Sequence, residues 1–173
     1  MIIVFDFDET LVFNSYNPRS ALEVFSVSYG GGLTETFILR PYTRRVLSAV
    51  RRICKGLFLG TCSTRARTNR LLEVLGLEKH FDRVFTRENF DPVFRGSGDA
   101  TSFPLDDFLM VDDRDTSSPL IQAKMKFFGV EGSQDQLVKH LVSVPKFDGS
   151  DGDRALLLAL DDIQSRLAHG HVS

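Results

Sequence analysis

Residues 2–11 read Ile2-Ile3-Val4-Phe5-Asp6-Phe7-Asp8-Glu9-Thr10-Leu11. The segment before Asp6 is β-branched or aromatic throughout, without polar alternation, which is typical of a short strand buried on both faces of a parallel sheet. The chain turns polar where this strand ends, and two aspartates then stand two residues apart. This run predicts a central strand that carries acidic side chains to one edge of a sheet.

Two later apolar runs end in the same way. Residues 57–60 run into Thr61, and residues 108–111 run into Asp112 and Asp113. Because parallel strands place their carboxyl ends at the same edge, we expect these polar side chains to meet the first acidic pair.

Amphipathic helices separate the apolar runs. Residues 42–53 and 64–75 carry apolar side chains at helical spacing, and Gly76 is placed to end the second helix. This alternation predicts an α/β fold with a doubly wound, mainly parallel sheet, whose ligands bind beyond the carboxyl ends of the strands.

The remaining segments complete a single predicted domain over residues 1–173. Alternating side chains around a glycine turn predict a small β-hairpin insertion at about 20–40, after the first strand. Residues 92–104 have loop composition, Ser150 and Asp153 resemble a capping box before a final helix, and residues 169–173 are expected to fray. On the hairpin, Phe25, Tyr29 and Phe37 are candidates either for core packing or for substrate contact.

Composition narrows the class of protein. With 42% hydrophobic residues, 25% charged residues and a net charge of −2, the 173-residue chain suits a globular domain. No global positive field indicates nucleic acid or an anionic membrane as a partner. The N-terminus shows neither a signal peptide nor a membrane span, and Cys54 and Cys62 are expected to be reduced, which together predict a cytoplasmic protein; nuclear and viral settings stay open.

The paired aspartates suggest a phosphoryl-transfer chemistry. Asp6 projects from the strand end and can attack phosphorus, while Asp8 can protonate the leaving oxygen and later activate water. Mg²⁺ would relieve the repulsion between the carboxylates, with Asp112 and Asp113 supplying further ligands. A lone Asp-x-Asp in a turn is more often solvated or a helix cap, so it is the combination with Thr61 and the second acidic pair that favours catalysis.

These motifs resemble those of the haloacid dehalogenase (HAD) superfamily of phosphotransferases. Residues 6–11 are similar to its first motif, Thr61 to its second, and the pair Asp112 and Asp113 to its fourth. More narrowly, the chain resembles the FCP/SCP-like branch named for NLI-interacting factor, which has a minimal cap. The hairpin, the Arg40-Pro41 element and residues 144–148 extend that resemblance over nearly the whole chain.

The resemblance implies a role for each matching residue. Asp6 would be the nucleophile and a metal ligand, Asp8 the acid and base and a metal ligand through its main chain, and Thr61 a phosphate ligand. Asp113 would bind the metal directly, with Asp112 in support.

The sequence departs from the family pattern at one motif. The third motif supplies a lysine before the fourth motif, but no lysine lies between Lys79 and Lys124. Arg95 falls at about the expected place and is predicted to bind phosphate. An arginine keeps the charge but is larger and forked, so it is not an equivalent replacement. Arg65, Arg87 and Arg114 are its rivals.

The expected function is that of a Mg²⁺-dependent phosphatase, a phosphoric monoester hydrolase with an aspartyl-phosphate intermediate. Its substrate would be phosphorylated Ser or Thr of a protein or peptide. The alternatives are the same chemistry on a small phosphate ester or a nucleic-acid end, or a binding module without turnover.

Overall fold

The structure, a computed structural model, describes residues 1–15, 22–29, 32–96 and 102–169. Within these ranges five strands form one parallel sheet: β1 (Ile2–Phe5), β5 (Gly56–Gly60), β6 (Arg83–Phe85), β7 (Phe108–Asp112) and β8 (Leu141–Ser143). Their order across the sheet is β6-β5-β1-β7-β8. The three runs predicted as buried strands are the three central ones, because a central strand in such a sheet is covered on both sides.

Helices cover both faces of this sheet. One hydrophobic cluster joins Ile3 and Phe5 to α1 (Thr43–Ile53), α2 (Arg65–Leu75) and α6 (Ala155–Ala168). The other joins Val4 to α3 (Arg87–Phe94), α4 (Pro119–Phe127) and α5 (Gln134–Lys139). Successive strand residues point to opposite faces, so one strand enters both clusters. The predicted doubly wound α/β class is confirmed.

A second, antiparallel sheet follows β1. It consists of β2 (Val12–Asn14), β4 (Thr34–Leu39) and β3 (Val24–Ser28), in that order. The predicted hairpin corresponds to β3 and β4, whereas β2 was not predicted. The glycines at 30 and 31 and the tail from residue 170 lie outside the described residues.

Two local predictions differ from the structure. Helix α3 continues through Pro92 to Phe94, so the loop predicted from residue 92 starts later. Pro92 has no N–H to donate to the carbonyl of Glu88, so it costs this short helix one hydrogen bond without ending it. Near the end of the chain, Asp153 accepts the N–H of Ala155 at the start of α6, and the backbone N–H of Ser150 is bonded to Asp148. The capping box predicted from Ser150 and Asp153 is therefore absent.

Candidate active site

Three parallel strands bring the predicted site residues to one edge of the sheet. Asp6 directly follows β1, Thr61 directly follows β5, and β7 ends at Asp112. The register places Phe5 beside Leu59 on one side and Val111 on the other, so the three polar ends are level with one another. The meeting of these side chains therefore follows from the sheet itself.

Three carboxylates converge at this edge. One oxygen from each of Asp6, Asp112 and Asp113 lies within 4.8 Å of the others. Within the part of the chain that the structure describes, Oδ2 of Asp6 is buried and has no hydrogen-bond partner. A buried carboxylate oxygen without a donor fits a divalent cation with oxygen ligands, so the residues present fit Mg²⁺. The side chain of Asp8 is outside this group, and its predicted main-chain contact with the metal stays a prediction.

Lys124 lies between two of these carboxylates. Its Nζ donates to Oδ1 of Asp6 and to Oδ2 of Asp112, both at 2.7 Å, and its side chain is fully buried. The lysine comes from α4, which follows β7 along the chain. The cation opposite Asp6 therefore comes from a residue after Asp112 in the sequence. The family pattern predicted a residue before Asp112.

Arg95 does not occupy this position. It ends α3, its guanidinium pairs with Asp91 of the same helix at 3.5 Å, and its side chain is 76% exposed. The prediction that Arg95 lies opposite Asp6 is therefore wrong, and Lys124 occupies that position.

Among the rivals to Arg95, Arg87 donates from Nε to the carbonyl of Cys62 at 2.8 Å. The backbone N–H of Arg65 is bonded to Glu88. Arg114 lies nearer the carboxylates: burial lowers the pKa of its guanidinium, but the charges of Asp6 and Asp112 raise it overall. A second cation is thus available beside the acidic cluster.

The electrostatics of the cluster are set by burial and by like charges. Burial raises the pKa of Asp6 to about 7, Asp112 adds to this rise, and Lys124 opposes it. Burial and Asp112 also raise the pKa of Asp113. Burial alone would lower the pKa of Lys124, but the carboxylates of Asp6 and Asp112 raise it above its ordinary value. Lys124 alone does not neutralise three carboxylates, which favours a further cation.

Asp8 faces a different set of partners. Oδ1 accepts from Nη1 of Arg67 at 2.8 Å, and Oδ2 accepts from the hydroxyls of Ser63 at 2.7 Å and Thr61 at 3.3 Å. The Thr61 hydroxyl is fully buried and also accepts the N–H of Ser63 at 3.1 Å. Thr61 thus lies within the predicted site, although its contact with phosphate stays a prediction. Sequence reasoning did not find Ser63 or Arg67.

Thr10 connects the first acidic motif to the last. Its hydroxyl accepts the N–H of Asp113 at 3.1 Å and lies 3.3 Å from Oδ1 of the same residue. The neighbouring carboxylate of Asp112 accepts the N–H of Arg114 at 3.0 Å. Both acidic side chains at the end of β7 are therefore held in place by donors from nearby backbone and side chains.

A family model described as "NLI interacting factor-like phosphatase" matches residues 1–169. The chain belongs to this family. Membership confirms the resemblance to the branch named for NLI-interacting factor that was inferred from the motifs.

Two solved structures of an RNA polymerase II CTD phosphatase, Fcp1, have a similar fold. A fission yeast Fcp1 variant bound to beryllium fluoride has 16% sequence identity and a TM-score of 0.50, with 97% of this chain and 50% of that chain covered. A second Fcp1 structure has 17% identity and a TM-score of 0.51, with 97% and 51% covered. The chain thus spans about half the length of these solved relatives.

No curated protein matches the chain in sequence. Among the described residues, no helix has the length and apolar character needed to span a membrane.

Proposed function

We propose that this chain is a Mg²⁺-dependent phosphatase that forms an aspartyl-phosphate on Asp6. The observation that supports this proposal most is that Lys124, Asp112 and Asp113 surround Asp6 at the carboxyl edge of the sheet. A nucleophilic carboxylate needs compensating positive charge to approach an anionic phosphoryl group. Lys124 supplies part of that charge, and the acidic cluster suits the metal that would supply the rest.

The residues of the chain divide the reaction between them. A carboxylate oxygen of Asp6 forms a bond to phosphorus as the bond to the leaving oxygen breaks, and Asp8 gives that oxygen its proton. Asp8 then takes a proton from water, whose oxygen attacks the phosphoryl group and releases Asp6. Lys124 and Thr61 hold the reacting groups, and Asp113 with Asp112 would hold Mg²⁺. Bound Mg²⁺ would withdraw charge from the phosphoryl oxygens.

The proposed substrate is a phosphorylated Ser or Thr within a peptide or protein. The described part of the insertion after β2 is a hairpin rather than a large covering domain, which supports access for an extended chain. The alternatives are a small phosphate ester or a phosphorylated nucleic-acid end. The predicted cytoplasmic location also stays a prediction.

An aryl phosphate with Mg²⁺ tests the chemistry. We expect Asp6→Asn to lower kcat by about 10³-fold or more, because no other residue replaces a nucleophile. Asp106→Asn, at an exposed loop position, is the matched control and should keep wild-type activity. Equal, slow hydrolysis by wild type and Asp6→Asn would instead favour a binding module without turnover.

Two further experiments test the intermediate and the substrate. Beryllium fluoride with Mg²⁺ should attach to Asp6 in a crystal structure, and attachment elsewhere would refute the nucleophile assignment. A panel of phosphopeptides, nucleotides, sugar phosphates and phosphorylated oligonucleotides then ranks substrates by kcat/KM. The absence of peptide turnover alongside turnover of another member would overturn the peptide assignment alone.

A further inference from the structure

Arg67 bridges the first acidic motif and the hairpin. From α2, its Nη1 donates to Oδ1 of Asp8 at 2.8 Å and to the hydroxyl of Ser63 at 2.6 Å. Its Nε donates to Oε2 of Glu35, on β4, at 3.2 Å. One guanidinium therefore connects the carboxylate next to the reaction centre to a residue of the inserted sheet.

The hairpin fixes the other end of this bridge. Oε1 of Glu35 accepts from the side chain of Asn14, on β2, at 2.8 Å, so both oxygens of Glu35 are bonded. The guanidinium of Arg67 lies 5.1 Å from the ring centroid of Phe37, which is fully buried. A planar cation on an aromatic face and between two carboxylates has little rotational freedom. Phe37 thus supports Arg67 and is not exposed for the substrate contact considered from the sequence.

We propose that Arg67 is a positioning residue that orients Asp8 for proton transfer to the leaving oxygen, and that Glu35 holds Arg67 in place. This inference rests on the proposed function, in which Asp8 is the acid. It also gives the hairpin a role besides bordering the site, because Glu35 on the hairpin holds Arg67 and, through Arg67, sets the orientation of the Asp8 carboxylate. General acids depend strongly on such placement, since proton transfer requires hydrogen-bond reach and alignment.

The bridge also explains why Asp8 is not drawn into the acidic cluster. Both of its oxygens are occupied, Oδ1 by Arg67 and Oδ2 by Ser63 and Thr61. Asp6, only two residues away, is bonded to Lys124 instead. Two separate cations thus give the two carboxylates separate orientations, as their different proposed tasks require.

The dependence of the rate on the leaving group tests this role. Nitrophenyl phosphate has a leaving group that departs without much protonation, whereas an alkyl phosphate such as a phosphoserine peptide needs the acid. We expect Arg67→Gln to lower kcat/KM for the alkyl ester by about 10²-fold. For nitrophenyl phosphate, kcat/KM should change by less than about three-fold. The comparison uses kcat/KM because this quantity reports the steps up to leaving-group release and excludes hydrolysis of the phosphoenzyme.

Glu35→Gln is the second variant, because it leaves both Asp8 and Arg67 in the chain. It should lower the alkyl rate in the same selective way but less than Arg67→Gln. Arg70→Gln is the matched control, since Arg70 lies on the same helix, is 45% exposed and pairs with Glu73 at the surface. This control should change neither rate.

The outcomes separate the inference from the proposed function. Equal losses on both esters in Arg67→Gln and Glu35→Gln would show a merely structural role and overturn the inference. Wild-type activity in both variants on the alkyl ester would overturn it as well. If wild type hydrolyses neither ester, or does so without Asp6, the proposed function itself fails and the inference fails with it.

Discussion

At the residue scale, the burial of Lys124 beside two carboxylates has an energetic consequence. Lys124→Met removes the ammonium that is bonded to Asp6 and Asp112 and leaves both carboxylates buried. Breaking a buried ion pair from one side costs about 3–5 kcal/mol, because the remaining charge has lost its partner. We therefore expect the free energy of unfolding to fall by about that amount, as measured by urea denaturation.

The same helix provides the control for Lys124. Lys126 is 58% exposed and pairs with Glu131 at the surface, so Lys126→Met should change stability by no more than about 0.5 kcal/mol. Adding Asp112→Asn to Lys124→Met should recover part of the loss, because one of the two repelling charges is gone. A Lys124→Met protein as stable as wild type would contradict the arrangement described for this cluster.

The acidic residues were predicted from the sequence, whereas their cation was not. Asp6 and Asp112 are signalled locally because each directly follows an apolar run, and Asp8 and Asp113 lie one or two residues further on. Lys124 is signalled only by its helical neighbours: Ile121 and Phe128, three residues before and four after it, are both fully buried. This spacing puts a lysine on the buried face of α4. Only the packing of that helix on the sheet shows which carboxylates it meets.

At the element scale, one arginine joins three separate segments. Arg40 follows β4, is almost fully buried, and donates to the carbonyls of Thr10 at 3.0 Å and Pro145 at 2.8 Å. Its Nε donates to Asp153, just before α6, at 2.9 Å. The Arg-Pro element and the closing segment that mark the family resemblance thus brace the loop that carries Asp8.

The contacts of Arg40 predict coupled losses of stability. Arg40→Met should lower the free energy of unfolding by about 3–5 kcal/mol, because Asp153 keeps its charge without a partner. Asp153→Asn retains an oxygen for the N–H of Ala155 and should cost a similar amount by stranding Arg40. The double variant should cost less than the sum of the two, a coupling that a double-mutant cycle measures.

The surface pair on α2 is the control for Arg40. Arg70→Met should cost less than about 1 kcal/mol, because exposed ion pairs contribute little. Strict additivity of Arg40→Met and Asp153→Asn would show that the two side chains do not act as a pair.

Elements were predicted well where their own residues determine them. The helix ending at Leu75 was predicted because Gly76 takes the left-handed conformation that ends such helices, and the structure shows it there. Strand β2 has only three residues, and its pairing with β4 defines it, so local pattern does not reveal it. The capping box failed because α6 begins only at Ala155, so Asp153 precedes the helix and is also bonded to Arg40, a residue distant in sequence.

At the scale of the whole molecule, the two hydrophobic clusters fix the sheet, and the sheet fixes the distances between the carboxylates. Asp6 and Asp112 therefore stay close in the folded chain without help from a bound cation. An ion that binds this arrangement and not the unfolded chain stabilises the fold, by about 2.7 kcal/mol when its concentration is a hundred times its Kd.

Mg²⁺ is accordingly expected to raise the Tm of the wild type in a concentration-dependent way, and chelation should reverse the rise. Asp113→Asn is the matched variant: it removes a proposed ligand, and its Tm should respond far less to Mg²⁺. NaCl at equal ionic strength separates site binding from general screening of the negative chain. Equal shifts in wild type and Asp113→Asn would place the ion elsewhere, since only an ion held by these carboxylates depends on Asp113.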